Sequence, residues 1–292
     1  MKILITGGSG FIGRNLYEDL GRRYDVIAPG RASLNLLDED AVRCFLQANR
    51  FDVVIHAATD RSNRKLGTAP DLLDRNCRMF FNLARNHDQF AKMLFLSSGA
   101  VYDRRHWMPL MREDYFDTHV PADDYGFSKY VCAKSIESLP NVHELRLFAV
   151  FGPYEDWQVR FISNACCRTL WDLPVVIRQN VRFDFLDVAD LGQMIEWFLE
   201  HDPREKHYNV SSGRPVDLTA LAGEVIRASG KKLGVIVKRD GLGREYSGDN
   251  TRLLREAGGF EFRSLAESIA NLYRWYAARR SEIDPELLHF DA

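Results

Sequence analysis

No apolar run in the chain approaches the roughly 20 residues needed to cross a bilayer, so no membrane association is expected. The opening Met-Lys-Ile-Leu-Ile-Thr stops at glycines just after Ile5, too short for a secretion signal. Charge of one sign is also missing: 39 basic and 41 acidic residues leave a formal net charge of -2. A nucleic-acid partner would want a basic patch or stripe, and none is expected here. The five cysteines (Cys44, Cys77, Cys132, Cys166 and Cys167) contain no CxxC pair, which removes the common zinc and redox spacings, and no metal is expected. An odd count without a secretion signal fits a reducing cytoplasm, with the thiols serving as small core residues. Internal repeats and low-complexity tracts are absent as well.

What is present is a chain of 292 residues with 46% apolar content, enough for one large domain carrying a subordinate lobe. Its first half alternates short β-rich runs with helical patterns, which predicts an α/β fold with a doubly wound parallel sheet of Rossmann type. Strands are expected at Lys2–Thr6, Asp25–Ala28, Asp52–His56, Lys92–Leu96 and Glu144–Phe148, apolar almost throughout as for strands covered on both faces. Helices are expected at Phe11–Gly21, Asp38–Ala48, Leu72–Asn86 and Asp124–Ser138. After Gly152-Pro153 the order loosens. A helix at Val159–Leu170, strands at Pro174–Ile177, Phe185–Val188 and His207–Val210, and helices at Ala189–His201, Leu218–Ala228 and Leu265–Ala278 suggest an interleaved second lobe. The expected division is 1–152 plus about 181–211 for the dinucleotide-binding domain, and about 153–180 plus 212–292 for a smaller α/β substrate-binding domain.

Directly after the first strand, Thr6-Gly7-Gly8-Ser9-Gly10-Phe11-Ile12-Gly13 spaces its glycines as GxxGxxG. Gly7 permits a tight turn, Gly10 lets a pyrophosphate approach the backbone, and Gly13 lets helix and strand pack closely. The amides at the helix start, those of Phe11 and Ile12, then face the anion with the helix dipole behind them. A glycine triplet alone is weak evidence, but strand before and helix after is the confirming context. Further on, Tyr125 and Lys129 stand four apart, on one face of a helix. An ammonium beside a phenol favours ionisation and makes the tyrosine a usable proton donor and acceptor. Ser98 leaves a buried strand at the carboxyl edge of the sheet, where ligands bind in open α/β folds.

With these pieces on view, the sequence resembles the extended short-chain dehydrogenases/reductases, the NAD-dependent epimerase/dehydratase type. The resemblance runs along most of the chain. It is carried by the glycine turn, by Asp52–Thr59 (DVVIHAAT), by Asn76 opening a helix, by Ser97–Tyr102 (SSxxVY) and by YxxxK. Leu145–Pro153 (LRLFAVFGP), the FxxVxD of Phe185–Asp190 and Tyr208-Asn209-Val210 add to it. It implies Ser98, Tyr125 and Lys129 as catalytic residues and a sugar nucleotide as substrate. Asn35, Leu36, Ala57, Ala58, Asn76 and Ser97 are implied beside the cofactor, together with the glycine turn, Tyr125 and Lys129. A homodimer packed through the helices containing Asn76–Asn86 and Tyr125–Ser138 is implied too.

What is missing narrows the branch. Dehydratases of this family carry Asp-Glu after the serine or threonine, whereas Gly99-Ala100 stand here. The second strand ends without an acid for a ribose 2′-hydroxyl, and Arg31 follows instead, in an RxxLNLLD pattern similar to the NADPH-using GDP-fucose synthases. A guanidinium suits a 2′-phosphate because it gives two hydrogen bonds to it. NADPH is therefore the expected cofactor, with NAD the alternative, and a GDP-linked sugar is favoured. Those synthases also epimerise, through a cysteine and a histidine; Ala100 fills the first position, and no histidine occurs in Tyr154–Arg160. The expectation is reduction of a nucleotide-linked 4-keto-6-deoxysugar at C4 without epimerisation at C3 or C5; the alternative is an NAD-dependent sugar-nucleotide 4-epimerase. Asp103, Phe183 and Arg182 depart from the family pattern. His106, Arg112 and His119, in the stretch before Tyr125, are candidate substrate contacts.

Overall fold

Strand and helix alternate as the sequence leads one to expect. The computed structural model describes residues 1–60 and 71–289. The first half runs β1 (Lys2–Thr6), α1 (Phe11–Leu20), β2 (Asp25–Ile27), α2 (Glu39–Asn49), β3 (Phe51–His56), α3 (Leu72–Ala84), β4 (Phe90–Ser98), α4 (Asp124–Ile136) and β5 (Val142–Leu147). The second half runs β6 (Ala149–Phe151), α5 (Phe161–Leu170), β7 (Val175–Asn180), β8 (Arg182–Phe183), β9 (Phe185–Asp187), α6 (Val188–Glu200) and β10 (His207–Val210). It continues with β11 (Val216–Asp217), α7 (Leu218–Ser229), β12 (Val235–Leu242), α8 (Thr251–Ala257) and α9 (Leu265–Ala277).

The central sheet has six strands in the order β2-β1-β3-β4-β5-β10, every pair parallel. From β1 the chain winds first to β2 and then back across to β3, so the order reverses between β1 and β3. That reversal opens a crevice at the carboxyl ends of these two strands. Leu16 and Leu20 of α1 with Leu191, Met194 and Phe198 of α6 cover one face. Val42 and Leu46 of α2, Phe80 and Leu83 of α3, and Cys132 and Ile136 of α4 cover the other. A further core joins α5, α7, α9 and β7 through Ile162, Cys166, Val175, Leu221, Ile269 and Leu272. All five cysteines are free thiols, and no described helix is long and apolar enough to cross a membrane.

Helix α8 and the strands β6, β8, β11 and β12 were not expected. Every residue of β12 is exposed, and its glycine-broken run shows no strand period. The strands are also less apolar than expected. On β5, His143, Glu144 and Arg146 are all buried.

Glu144 and Arg146 are both fully enclosed, and their pairing explains how a charged strand lies inside the sheet. Arg146 Nε donates to Glu144 Oε2 at 2.7 Å, and its second nitrogen donates to the Tyr102 hydroxyl at 2.9 Å. Tyr102 in turn donates to Asn209 Oδ1 on β10 at 2.9 Å. Burial works against the Glu144 carboxylate, but Arg146 and His207 outweigh it and hold its pKa down at about 2. Removing one member of such a pair strands the other charge without solvent. Arg146→Met should therefore destabilise the fold by about 3–5 kcal/mol, and the double variant Glu144→Gln/Arg146→Met should recover much of that loss. Urea unfolding of the three proteins checks this; equal stability of the wild type and Arg146→Met would contradict it.

Candidate active site

The crevice between β1 and β3 is shaped by glycine. Gly7 has φ +73°, and a Cβ there would lie 2.7 Å from the backbone of Ala58. A Cβ on Gly13 would lie 2.2 Å from Gly7 O. Only hydrogen at these positions lets the start of α1 seat over β1 and against the end of β3. The start of α1 also differs from that of α2, α4, α7 and α9, where Asp38, Asp123, Asp217 and Ser264 accept from a first-turn amide. Gly10 supplies no side-chain cap and the first turn holds no acid. The open amides, and the dipole behind them, are therefore free for an anion.

The crevice encloses about 480 Å³ and is walled by the glycine turn, Gly30 and Arg31 after β2, Asn35 and Leu36, and Ala57 and Ala58 after β3. Asn82 Nδ2 donates to Leu36 O at 2.9 Å and fixes that wall. Asn76 lies beneath the crevice: its Oδ1 accepts from the Asp60 amide at 2.7 Å and its Nδ2 donates to Asp60 O at 3.0 Å, fastening the loop after β3.

A second, wider cleft of about 560 Å³ continues from the first, sharing Phe11, Ile12, Ala57 and Thr59 with it. Ser97 and Ser98 from the end of β4 and Tyr125 from the first turn of α4 line this cleft. Lys129, 3% exposed, sits one turn further along α4. Its ammonium is 5.6 Å from the centre of the Tyr125 ring and 4.7 Å from that of Phe95. Helix α4 thus carries Tyr125 and Lys129 four residues apart, with Tyr125 on the wall of the wider cleft. Behind it, His56 Nδ1 and Thr6 Oγ1 are 2.7 Å apart. Burial, and then the Lys129 charge, hold the His56 pKa down at about 3, so this imidazole stays neutral near pH 7.

Residues 3–211 match the NAD dependent epimerase/dehydratase family. The chain belongs to that family. It is 28% identical to an ADP-L-glycero-D-manno-heptose-6-epimerase of Pseudomonas paraeruginosa, over 95% of this chain and 99% of that one. To the GDP-L-fucose synthase of Escherichia coli it is 26% identical, over 94% and 96%. Its fold matches a GDP-L-fucose synthetase from Naegleria fowleri bound to NADP with a TM-score of 0.84, at 16% identity, covering 96% of this chain and 93% of that one.

Against the family pattern, several charged candidates fall outside the cleft. His106 and His119 stack on each other, 3.7 Å between ring centres, and neither lines either cleft. Arg112 pairs with Asp114 at 2.8 Å, and Arg182 turns toward Glu245 at 3.6 Å and the Pro215 carbonyl. Asp103 accepts from Arg105 and bonds His106, which accounts for an acid after Val101-Tyr102. Phe183 does line the wider cleft. The residues that sequence reasoning missed are Arg160 before α5, Arg178 and Gln179 on β7, and Arg239 on β12, all on the cleft wall. Only pairing of β7 with β12, where Gln179 stands opposite Arg239, brings them together, and no local motif signals it.

The buried neutral His56 has a measurable consequence. Unfolded, it takes a proton below about pH 6.5; folded, it does not until about pH 3. Its contribution is present above pH 6.5 and is lost as pH falls, with a slope approaching about 1.4 kcal/mol per pH unit. His56→Asn should flatten unfolding free energy against pH between 6.5 and 5, leaving a residue from His143, whose pKa burial also lowers. Parallel slopes for wild type and variant would count against it.

Proposed function

We propose that this chain reduces a nucleotide-linked 4-keto-6-deoxysugar at C4 with NADPH, without epimerising C3 or C5. The narrow crevice fits a dinucleotide: Gly7, Gly10 and Gly13 with the open amides of Phe11 and Ile12 for the pyrophosphate, and Arg31 for a 2′-phosphate. Asn35, Leu36, Ala57 and Ala58 would flank the adenosine half, with Asn76 holding the loop beneath. When bound, NADPH would supply the hydride. Ser98 would donate to the keto oxygen, Tyr125 would give it a proton, and Lys129 would favour the ionised phenol left behind. The lobe of about 153–180 plus 212–292 would take the sugar nucleotide, GDP-linked by likeness to the fucose synthases. The start of α5 also lacks a side-chain cap, and Arg160, Arg178 and Arg239 beside it suit a diphosphate that Phe183 cannot hold.

The observation that carries this reading is the make-up of the wider cleft. Among its described lining residues there is no histidine and no cysteine, and its one carboxylate, Glu155, accepts from Ser163 at 2.7 Å. Removing a proton beside a keto group and returning it on the opposite face needs two positioned acid/base groups, whereas reduction needs Tyr125 alone. A 4-epimerase that retains NAD would use the same three residues, and differs by leaving cofactor redox state unchanged after each turnover.

A panel of GDP-, CDP-, UDP- and dTDP-linked 4-keto-6-deoxysugars, followed by NADPH absorbance, separates the two. One member should drive stoichiometric NADPH oxidation, while 4-epimer formation without cofactor consumption would overturn the reading. NADPH should also bind more tightly than NADH. Arg31→Ala should erase most of that preference, a loss of about 1.5–3 kcal/mol for a charge-assisted pair; equal dissociation constants in the wild type would contradict it.

A further inference from the structure

Lys129 carries its charge in an apolar setting. Only 3% of the residue is exposed. Among the described residues no carboxylate pairs with it, whereas buried Arg146 has Glu144 at 2.7 Å. Burial by itself favours a neutral amine, and a neutral amine would give nothing to the phenolate that Tyr125 leaves behind. What faces the ammonium is a ring. Its nitrogen is 4.7 Å from the centre of the Phe95 ring, nearer than the 5.6 Å to that of Tyr125. Both distances fall inside the roughly 6 Å over which an aromatic face attracts a cation, and the attraction grows once water is removed.

Phe95 is itself fixed. It is 2% exposed, and its ring stacks on that of His56 at 5.5 Å and meets that of Phe80 at 4.8 Å. His56, whose pKa is held down at about 3, sets no positive charge against the ammonium near pH 7. Phe95 lies on β4, three residues before Ser98. The strand that delivers the serine to the cleft therefore also delivers the ring to the lysine.

A carboxylate in place of the ring would hold the ammonium too, but its negative charge would cancel the field that Lys129 exerts at Tyr125. A phenyl face has no net charge. It attracts the cation through its quadrupole and leaves the full positive charge to act on the phenol.

We propose that Phe95 is a positioning residue for Lys129, its ring face holding the ammonium charged beside Tyr125 without neutralising it. The assignment rests on the role given to Lys129 above.

The test replaces Phe95, in the intact enzyme, with phenylalanines carrying one, two and three ring fluorines at this position alone. Fluorine withdraws charge from the ring face and changes its size little. With the panel sugar that oxidises NADPH, kcat should fall stepwise along the series. Three fluorines should cost about 10- to 30-fold, as for losing a desolvated cation–π contact, with KM within about twofold. A ring that only fills space would leave kcat flat across the series, and that result overturns the proposal. Phe95→Leu should match the trifluorinated ring, and the fluorinated proteins keep the test open if that variant fails to fold. A second measurement needs no substrate. In protein made with isotope-labelled lysine, the Lys129 methylene next to the ammonium is identified by its absence from the NMR spectrum of Lys129→Met. It should resonate upfield of the other lysines, as a group seated over a ring face does. A Lys129 signal among the others would place the ammonium off the ring and overturn the proposal. If no panel sugar oxidises NADPH, the reduction reading fails while this signal still decides the contact. If Lys129→Met leaves turnover intact, the role of Lys129 fails first and the proposal with it. If Lys129→Met abolishes turnover while the fluorine series is flat, only the inference about Phe95 is lost.

Discussion

One buried ion pair sets the arrangement above the carboxyl edge of the sheet. Glu144 and Arg146 lie two apart on β5, so both side chains leave the same face and must meet each other. Neither has access to water, and each offsets the burial of the other's charge, with His207 adding to the hold on Glu144. From Arg146 the constraint passes to Tyr102, four residues beyond Ser98, and from Tyr102 to Asn209 on β10. Asn209 Nδ2 donates to Met111 O at 2.7 Å and to Asp249 O at 3.1 Å, and its amide donates to Glu113. Met111 then bridges to Gly248, close by Tyr246. A single polar network thus ties the segment after β4, the stretch before α4 and the chain before α8 to the same two strands. The serine, the tyrosine of α4 and Tyr246 are positioned by elements that share one anchor.

The same packing accounts for what the cleft lacks. Gly99 is tight against Phe148 and Tyr246, so an acid there would need the aromatic cluster around Phe148 to be rebuilt. The wider cleft presents one phenol, two serines, one carboxylate and three guanidiniums among its described residues, a set suited to holding an anionic substrate and handing a single proton to an oxygen. Chemistry that moves protons on and off carbon would ask for more titrating groups than line it.

Much of this was legible in the sequence because the decisive signals are local. Gly7, Gly10 and Gly13 fall within one turn, Tyr125 and Lys129 within one helical repeat, and Ser98 at the end of an apolar strand. The glycines line the crevice, Ser98 and Tyr125 line its continuation, and Lys129 is buried one turn behind Tyr125. The rest depends on contacts between distant segments. Gln179 and Arg239 stand opposite each other only because β7 and β12 pair, and β12 is too exposed to carry a strand signature. Tyr246 comes against Gly99 from a segment far along the chain. His106 and His119 stood out in sequence as candidate substrate contacts, yet they stack on each other at the surface, where His106 also bonds Asp103. The charged residues of β5 misled in the opposite direction, since burial of a pair cannot be read from one strand.

The account stands or falls on whether carbon-bound protons are exchanged. With the substrate that oxidises NADPH, turnover in deuterated water followed by NMR or mass analysis of the product is the most direct measurement. The account predicts no carbon-bound deuterium at C3 or C5 beyond that of an enzyme-free control, and retention of configuration at both centres. Enzyme-dependent deuterium at either carbon would contradict it.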